Sequence, residues 1–154
     1  MKKPQGLEKK FHTYDQLNHT EVLSQGLYDG LKFVFKDFYI SDSISTKGAE
    51  ATISYYKNLN KKYGFNTPVP VGAINETCAK LLEKKLAKEA IALIIHGIKV
   101  HPNNFALIGI KGEIHQYLNE PKMAVDHYKK ASLLAQEAIV KNKYKVLLEN
   151  IMLH

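Results

Sequence analysis

The chain has 154 residues, 45% hydrophobic and 24% charged, with a net charge of +7 and one cysteine. This length suits one domain, or a compact domain with an appendage, and it lets roughly two thirds of the unfolded surface be buried. The lone Cys78 excludes an intrachain disulfide and a cysteine-rich metal site, and no run reaches the ~18 apolar residues of a membrane span.

The basic residues are all lysines, dispersed among acids. Base-edge and bidentate phosphate recognition favour the guanidinium fork of arginine, so we expect no nucleic-acid partner. The start "MKKPQGLEKK" is basic, but no apolar h-region follows it, so it does not read as a signal peptide. Next, "KKFHTYD" has the length of one short strand, with no obvious partner. A helix is expected over 20–38, where Leu23, Leu27, Leu31, Val34, Phe35 and Phe38 form one apolar stripe and Thr20 is a candidate N-cap. A second helix is expected over 46–63, with Ile53, Tyr56, Leu59 and Tyr63 at helical spacing. Ser45 or Thr46 can begin it and Gly64 can end it. The proline-punctuated "NTPVPVG" is an extended connector.

From Val71 the chain repeats. A shift of thirty-four residues pairs Ile74 with Ile108, Cys78 with Gly112, Ala90 with Ala124, Ile91 with Val125, Ile94 with Tyr128 and Gly97 with Ala131. Small residues thus recur at the eighth, twentieth and twenty-seventh places, and a large apolar residue recurs at the twenty-fourth. Antiparallel helices approach closely only where side chains are small, so places eight and twenty should face each other. This pattern resembles the tetratricopeptide repeat, whose period is 34. The resemblance covers Val71 to about Ala138, and Pro102 matches the family's proline near the repeat end. It departs at Ile74, where an aromatic is usual, and at Gln136, where copy two lacks the proline.

Helices are expected over 73–85, 88–101, 105–117 and 121–137, followed by a closing one to about 152. Asn75 or Thr77 helps begin the first, and Asn119 caps the fourth with Pro121 in its first turn. The last two can merge, because neither glycine nor proline separates them. A third copy would place Asn142 and Val146 at the fourth and eighth positions, where neither fits, so "KYKVLLENIML" reads as a helix that covers repeat two. The fold class expected is all-α: a right-handed superhelix of antiparallel helical hairpins, preceded by a helical segment.

His19, between Asn18 and Thr20, carries a further resemblance. "FHTYDQLNHTEVLSQGLYDGLKFVFKDF" resembles the C-terminal end of α/β-hydrolase esterases of the siderophore-esterase type. Members of that group carry an "NH" after the last strand and a segment like "LYDGLKFVF". "YYKNLNKKYGFNTPVPVGAIN" stands where some of them have a connecting helix with "YG", a "PVP"-like connector and tetratricopeptide-type helices. The resemblance runs from about Phe11 to the end. It implies a division into 1–40 (end of the hydrolase domain, with the last strand, His loop and helix), 41–70 (connecting helix and linker) and 71–154 (two repeats and a closing helix). It also implies that His19 is the general base of a serine triad in a longer enzyme. No G-x-S-x-G elbow is present, and neither Asp15 nor Asp29 fits the order serine, acid, histidine. The chain therefore reads as a piece of a serine ester hydrolase that is not competent alone.

The alternative is an autonomous helical-repeat module that binds protein or peptide, with Asn75, Glu113, Gln116 and Tyr117 on the inner face of the first helices. The expected partner is accordingly the hydrolase domain of the same polypeptide or another protein or peptide, and the stripe on 20–38 suggests a two-fold dimer through residues 8–38. No cofactor is expected. None of the histidines forms the i, i+4 pair with a carboxylate that a helical zinc site uses, so no metal is expected either. The compartment is not legible; the resemblance allows a periplasmic full-length form with its signal outside this chain.

Overall fold

A computed structural model describes residues 9–152; the basic start before Lys9 lies outside them. Among the described residues there are eight α-helices and one 3-10 turn, with no strand. The helices are α1 (His19–Val34), α2 (Asp42–Ser45), α3 (Ala49–Tyr63), α4 (Val71–Glu83), α5 (Ala87–Val100), α6 (Phe105–Tyr117), α7 (Pro121–Leu134) and α8 (Ala138–Met152); the 3-10 turn is Lys36–Phe38. The chain divides into a unit ending at Tyr39 and a larger unit from Ile40 onward. The connecting helix α3 thus belongs with the repeats.

In the first unit, "KKFHTYD" forms no strand. Having no second strand to pair with, it stays extended and is tied to α1 by side chains: the Tyr14 hydroxyl donates to Asp29 Oδ2 at 2.7 Å. Asn18, not Thr20, caps α1. Its side chain accepts from the amides of Thr20 and Glu21, and Glu21 accepts from the Asn18 amide, which completes a capping box.

In the second unit, α4 and α6 have thirteen residues each and α5 and α7 fourteen. All four bounds coincide after a shift of thirty-four. The turns coincide as well. Lys85 and Asn119 are left-handed, with φ near 60°. Leu86 and Lys85 amides donate to Leu81 and Leu82 carbonyls, as Glu120 and Asn119 amides donate to His115 and Gln116 carbonyls. Both hairpins therefore turn through the same Schellman motif. Asn119 is the left-handed residue of that motif rather than the cap of α7.

Five of the six pairs are core, and Ile91 and Val125 are partly buried. Ile74, Cys78, Ala90, Ile94, Ala124, Tyr128 and Ala131 are essentially inaccessible. Places eight and twenty do face each other: the Cys78 thiol donates to the Ala90 carbonyl at 3.6 Å, and a Cβ on Gly112 would lie 3.3 Å from the Ala124 carbonyl. The two copies divide volume differently. Copy one combines Cys78 with Ile94. Copy two combines Gly112 with Tyr128, whose ring occupies the space a side chain at 112 would take.

Two further helix starts differ from expectation. α4 begins at Val71 behind Pro70, whose carbonyl accepts the Ile74 amide, so neither Asn75 nor Thr77 is a cap. α3 begins after Gly48, and its first amide is capped from α5, by Glu89 Oε2 at 2.8 Å from Ala49 N. Gly48 has φ 123°, and a Cβ there would run into the Glu89 carboxylate, so glycine is required twice over. Ser45 ends the short α2 instead of capping α3, although Gly64 does end α3, in the left-handed conformation. The connector is pinned by Asn60, which donates to the Thr67 carbonyl at 2.6 Å, and by buried Val69.

α7 and α8 do not merge. The backbone turns out of helix at Ala135, which lets α8 fold back so that Tyr144, Leu147, Leu148 and Ile151 join Ile108, Ala124, Tyr128 and Ala131 in one cluster. A continuous helix would leave that stripe in water, and burying each such side chain is worth about 1.5–3 kcal/mol. α8 starts where a third first-helix would, but presents Val140 and Tyr144 inward in place of positions 142 and 146.

Candidate functional site

A cleft of about 340 Å³ opens between α4, α6 and α8, lined by Asn75, Phe105, Ala106, Ile110, Glu113, Val140, Lys143 and Tyr144. Its origin is local. Gly109 replaces Asn75 of copy one, and a Cβ at 109 would collide with the Tyr144 phenol. The phenol therefore lies flat against α6, and its hydroxyl points to the Phe105 carbonyl at 3.4 Å. Burial is the main cause that raises the Tyr144 pKa, with Glu113 adding to it, so the phenol stays neutral. The floor is apolar. The rim carries the Asn75 amide and the Glu113–Lys143 pair at 3.3 Å, both about half exposed. An exposed pair of this kind contributes less than about 1 kcal/mol.

Of the residues expected on the inner face, Asn75 and Glu113 meet in this cleft. Gln116 does not join them: its side chain accepts the Tyr128 hydroxyl at 2.8 Å and borders a separate recess with Asn119, Pro121, Asn150 and Ile151. Tyr117 is half exposed and lies outside the cleft lining. Lys143 and Tyr144 were missed by sequence reasoning, because their inward position depends on how α8 folds back.

No serine, cysteine or histidine lines the cleft; its polar groups are the Asn75 amide, the Glu113–Lys143 pair and the Tyr144 hydroxyl. Cys78 is buried and its thiol is pushed up to about 12 by desolvation, which leaves it unreactive.

His19 lies exposed in the first turn of α1. No triad forms around it among the described residues of its unit. The Ser24 hydroxyl is turned along the helix to the carbonyls of Thr20 and Glu21. Asp29 is held below the usual carboxylate range by hydrogen bonds from Tyr14 and then Gln25, and Asp15 is exposed.

One buried polar group had no sequence forewarning. His115 Nδ1 sits 2.6 Å from Glu120 Oε2, and its ring stacks on His127 with centroids 5.1 Å apart. The pair joins the two side chains that flank the Schellman turn of copy two. In copy one the same places hold Leu81 and Leu86, the apolar contact that commonly accompanies this motif. Burial, then Lys111 and His115, push the His127 ring down to about 4. No group of three or more histidine, cysteine or acidic side chains suited to a metal ion occurs among the described residues. No helix among them is long and apolar enough to cross a membrane.

Comparison with family models, curated proteins and solved structures returned no match for the chain.

Proposed function

We propose that the chain is a tetratricopeptide-type docking module that holds a protein or peptide, and that it performs no catalysis by itself. One observation carries this reading: both hairpins have the same helix bounds, the same turn and the same small buried places at one fixed offset. Stacked hairpins of this kind present their first helices side by side and leave an open face. Here that face carries the cleft rimmed by Asn75, Glu113 and Lys143. Selection from a random peptide library displayed on phage tests the reading. Peptides should be enriched that bind the chain and lose binding to an Asn75→Ala/Lys143→Glu variant. No enrichment, or binding indifferent to that variant, defeats it.

A second reading concerns what is docked. His19 follows the N-cap Asn18 at the start of a helix, after an extended segment, where the esterase resemblance requires its base. On this reading residues 9–39 are the end of an ester hydrolase domain and the repeats are appended to it. The isolated chain then lacks the nucleophile and oxyanion hole, and hydrolysis of p-nitrophenyl esters should not exceed that of a His19→Ala control. The two readings separate at the native gene product: an upstream G-x-S-x-G segment decides for the hydrolase, and its absence leaves the autonomous module.

A further inference from the structure

α1 has two apolar faces. Val22, Gly26 and Phe33 are half-buried on one, beside the extended segment that carries Tyr14. On the other, Leu23, Leu27 and Leu31 are 75%, 65% and 50% exposed, flanked by exposed Tyr28 and Phe35. At 3.6 residues per turn the three leucines fall within about 80° of one another. They form a continuous stripe, and its spacing is symmetric about Leu27.

That symmetry selects the occupant. We propose that this face of α1 pairs antiparallel with the same face of a second copy of the chain, with Leu27 on the two-fold axis and Leu23 opposite the partner's Leu31. Two features favour this arrangement over a foreign partner. The stripe is self-complementary, since reversing α1 about Leu27 superimposes leucine on leucine. The helix dipoles also run head to tail. Five apolar side chains at roughly 100 Å² each cover about 500 Å² per protomer, which sits at the lower edge of specific interfaces, near 1,000 Å² in total. An interface of this size belongs to weak, concentration-dependent dimers. A parallel pair would instead place like helix ends together. The inference does not depend on whether the cleft binds peptide or His19 serves an enzyme.

Sedimentation velocity of the full chain from low micromolar to a few hundred micromolar provides the first test. The mass should rise from the 17.5 kDa monomer toward twice that value, and Leu27→Glu, which sets two carboxylates on the axis, should hold it at the monomer with the helical spectrum unchanged. Cysteine cross-linking then tests the geometry, with buried Cys78 unable to compete. Under oxidation Leu27→Cys should link to itself. Leu23→Cys and Leu31→Cys should link only when mixed, and Gln25→Cys on the other side of the helix should not link. A strict monomer overturns the proposal. Self-linking of Leu23→Cys alone, or dimerisation untouched by Leu27→Glu, overturns it as well.

Discussion

Gly112→Ala places a methyl group where copy two has no room. The new Cβ would lie 2.6 Å from Tyr128 Cε1 and 2.7 Å from Cδ1, with the Ala124 carbonyl at 3.3 Å. Carbon atoms pack at about 3.5–4.0 Å, so the ring would have to move by about 1 Å. It is poorly placed to do so, because Tyr128 is fully buried, donates to Gln116 at 2.8 Å and lies against the Tyr144 ring. Alanine gains about 1 kcal/mol over glycine in a helix interior, whereas overpacking costs about 1–3 kcal/mol. We expect a net loss of up to about 2 kcal/mol, read by guanidinium unfolding followed by far-UV circular dichroism. Gly72→Ala in α4, with nothing within 4 Å of its Cβ, should be neutral or stabilising in the same assay. Replacing Tyr128 by Ile, the residue at the matching place of copy one, should make Gly112→Ala harmless. Equal effects at 72 and 112, or no rescue by Tyr128→Ile, would refute the packing account of the repeat.

Other perturbations bear on separate elements. Ala124→Leu overpacks a fully buried crossing and should cost about 1–3 kcal/mol; a change within about 0.5 kcal/mol would mean that the site is not tightly packed. Glu89→Ala removes the cap of α3 and should cost about 1 kcal/mol, while leaving helix content unchanged when measured by circular dichroism well below the unfolding midpoint. Replacing both His115 and Glu120 by leucine transplants the copy-one turn; stability should be kept or raised, while Glu120→Leu alone, which leaves the buried His115 ring without a partner at Nδ1, should cost about 1–3 kcal/mol. For His127, the folded pKa of about 4 lies below the ordinary 6.5. The unfolded chain therefore takes up the proton first, and stability is lost as pH falls from about 6.5 to about 4 and kept above it. The ring is partly exposed, so its share is near 1 kcal/mol rather than the ~3 kcal/mol of the full shift. A His127→Gln variant should show a correspondingly shallower acid slope, and an identical slope would remove His127 from the acid response.

The repeats were legible because close helix packing demands small residues at fixed places, and Cys78, Gly112, Ala90, Ala124, Gly97 and Ala131 mark those places in the sequence. Helix starts were less legible. Asparagine suits both a cap and a left-handed turn, so Asn119 could be placed near the turn but not assigned its role. Glu89 caps α3 across forty residues, and no local signal announces such a contact. The break at Ala135 carries neither glycine nor proline; it follows from the burial of Tyr144 and the α8 stripe, a tertiary cause. The cleft was half legible for the same reason. Asn75 and Glu113 lie on helices whose register the repeat fixes, whereas Lys143 and Tyr144 reach it only because α8 turns back with its face displaced from the repeat pattern.

The central claim is that the open face of the stacked hairpins is the binding surface. Backbone amide resonances followed during titration with a peptide selected on the chain test it most directly. The account predicts saturable shifts concentrated at Asn75, Phe105, Ile110, Glu113, Lys143 and Tyr144. Shifts centred on the outer surfaces of α5 and α7, or none at saturating peptide, would contradict it.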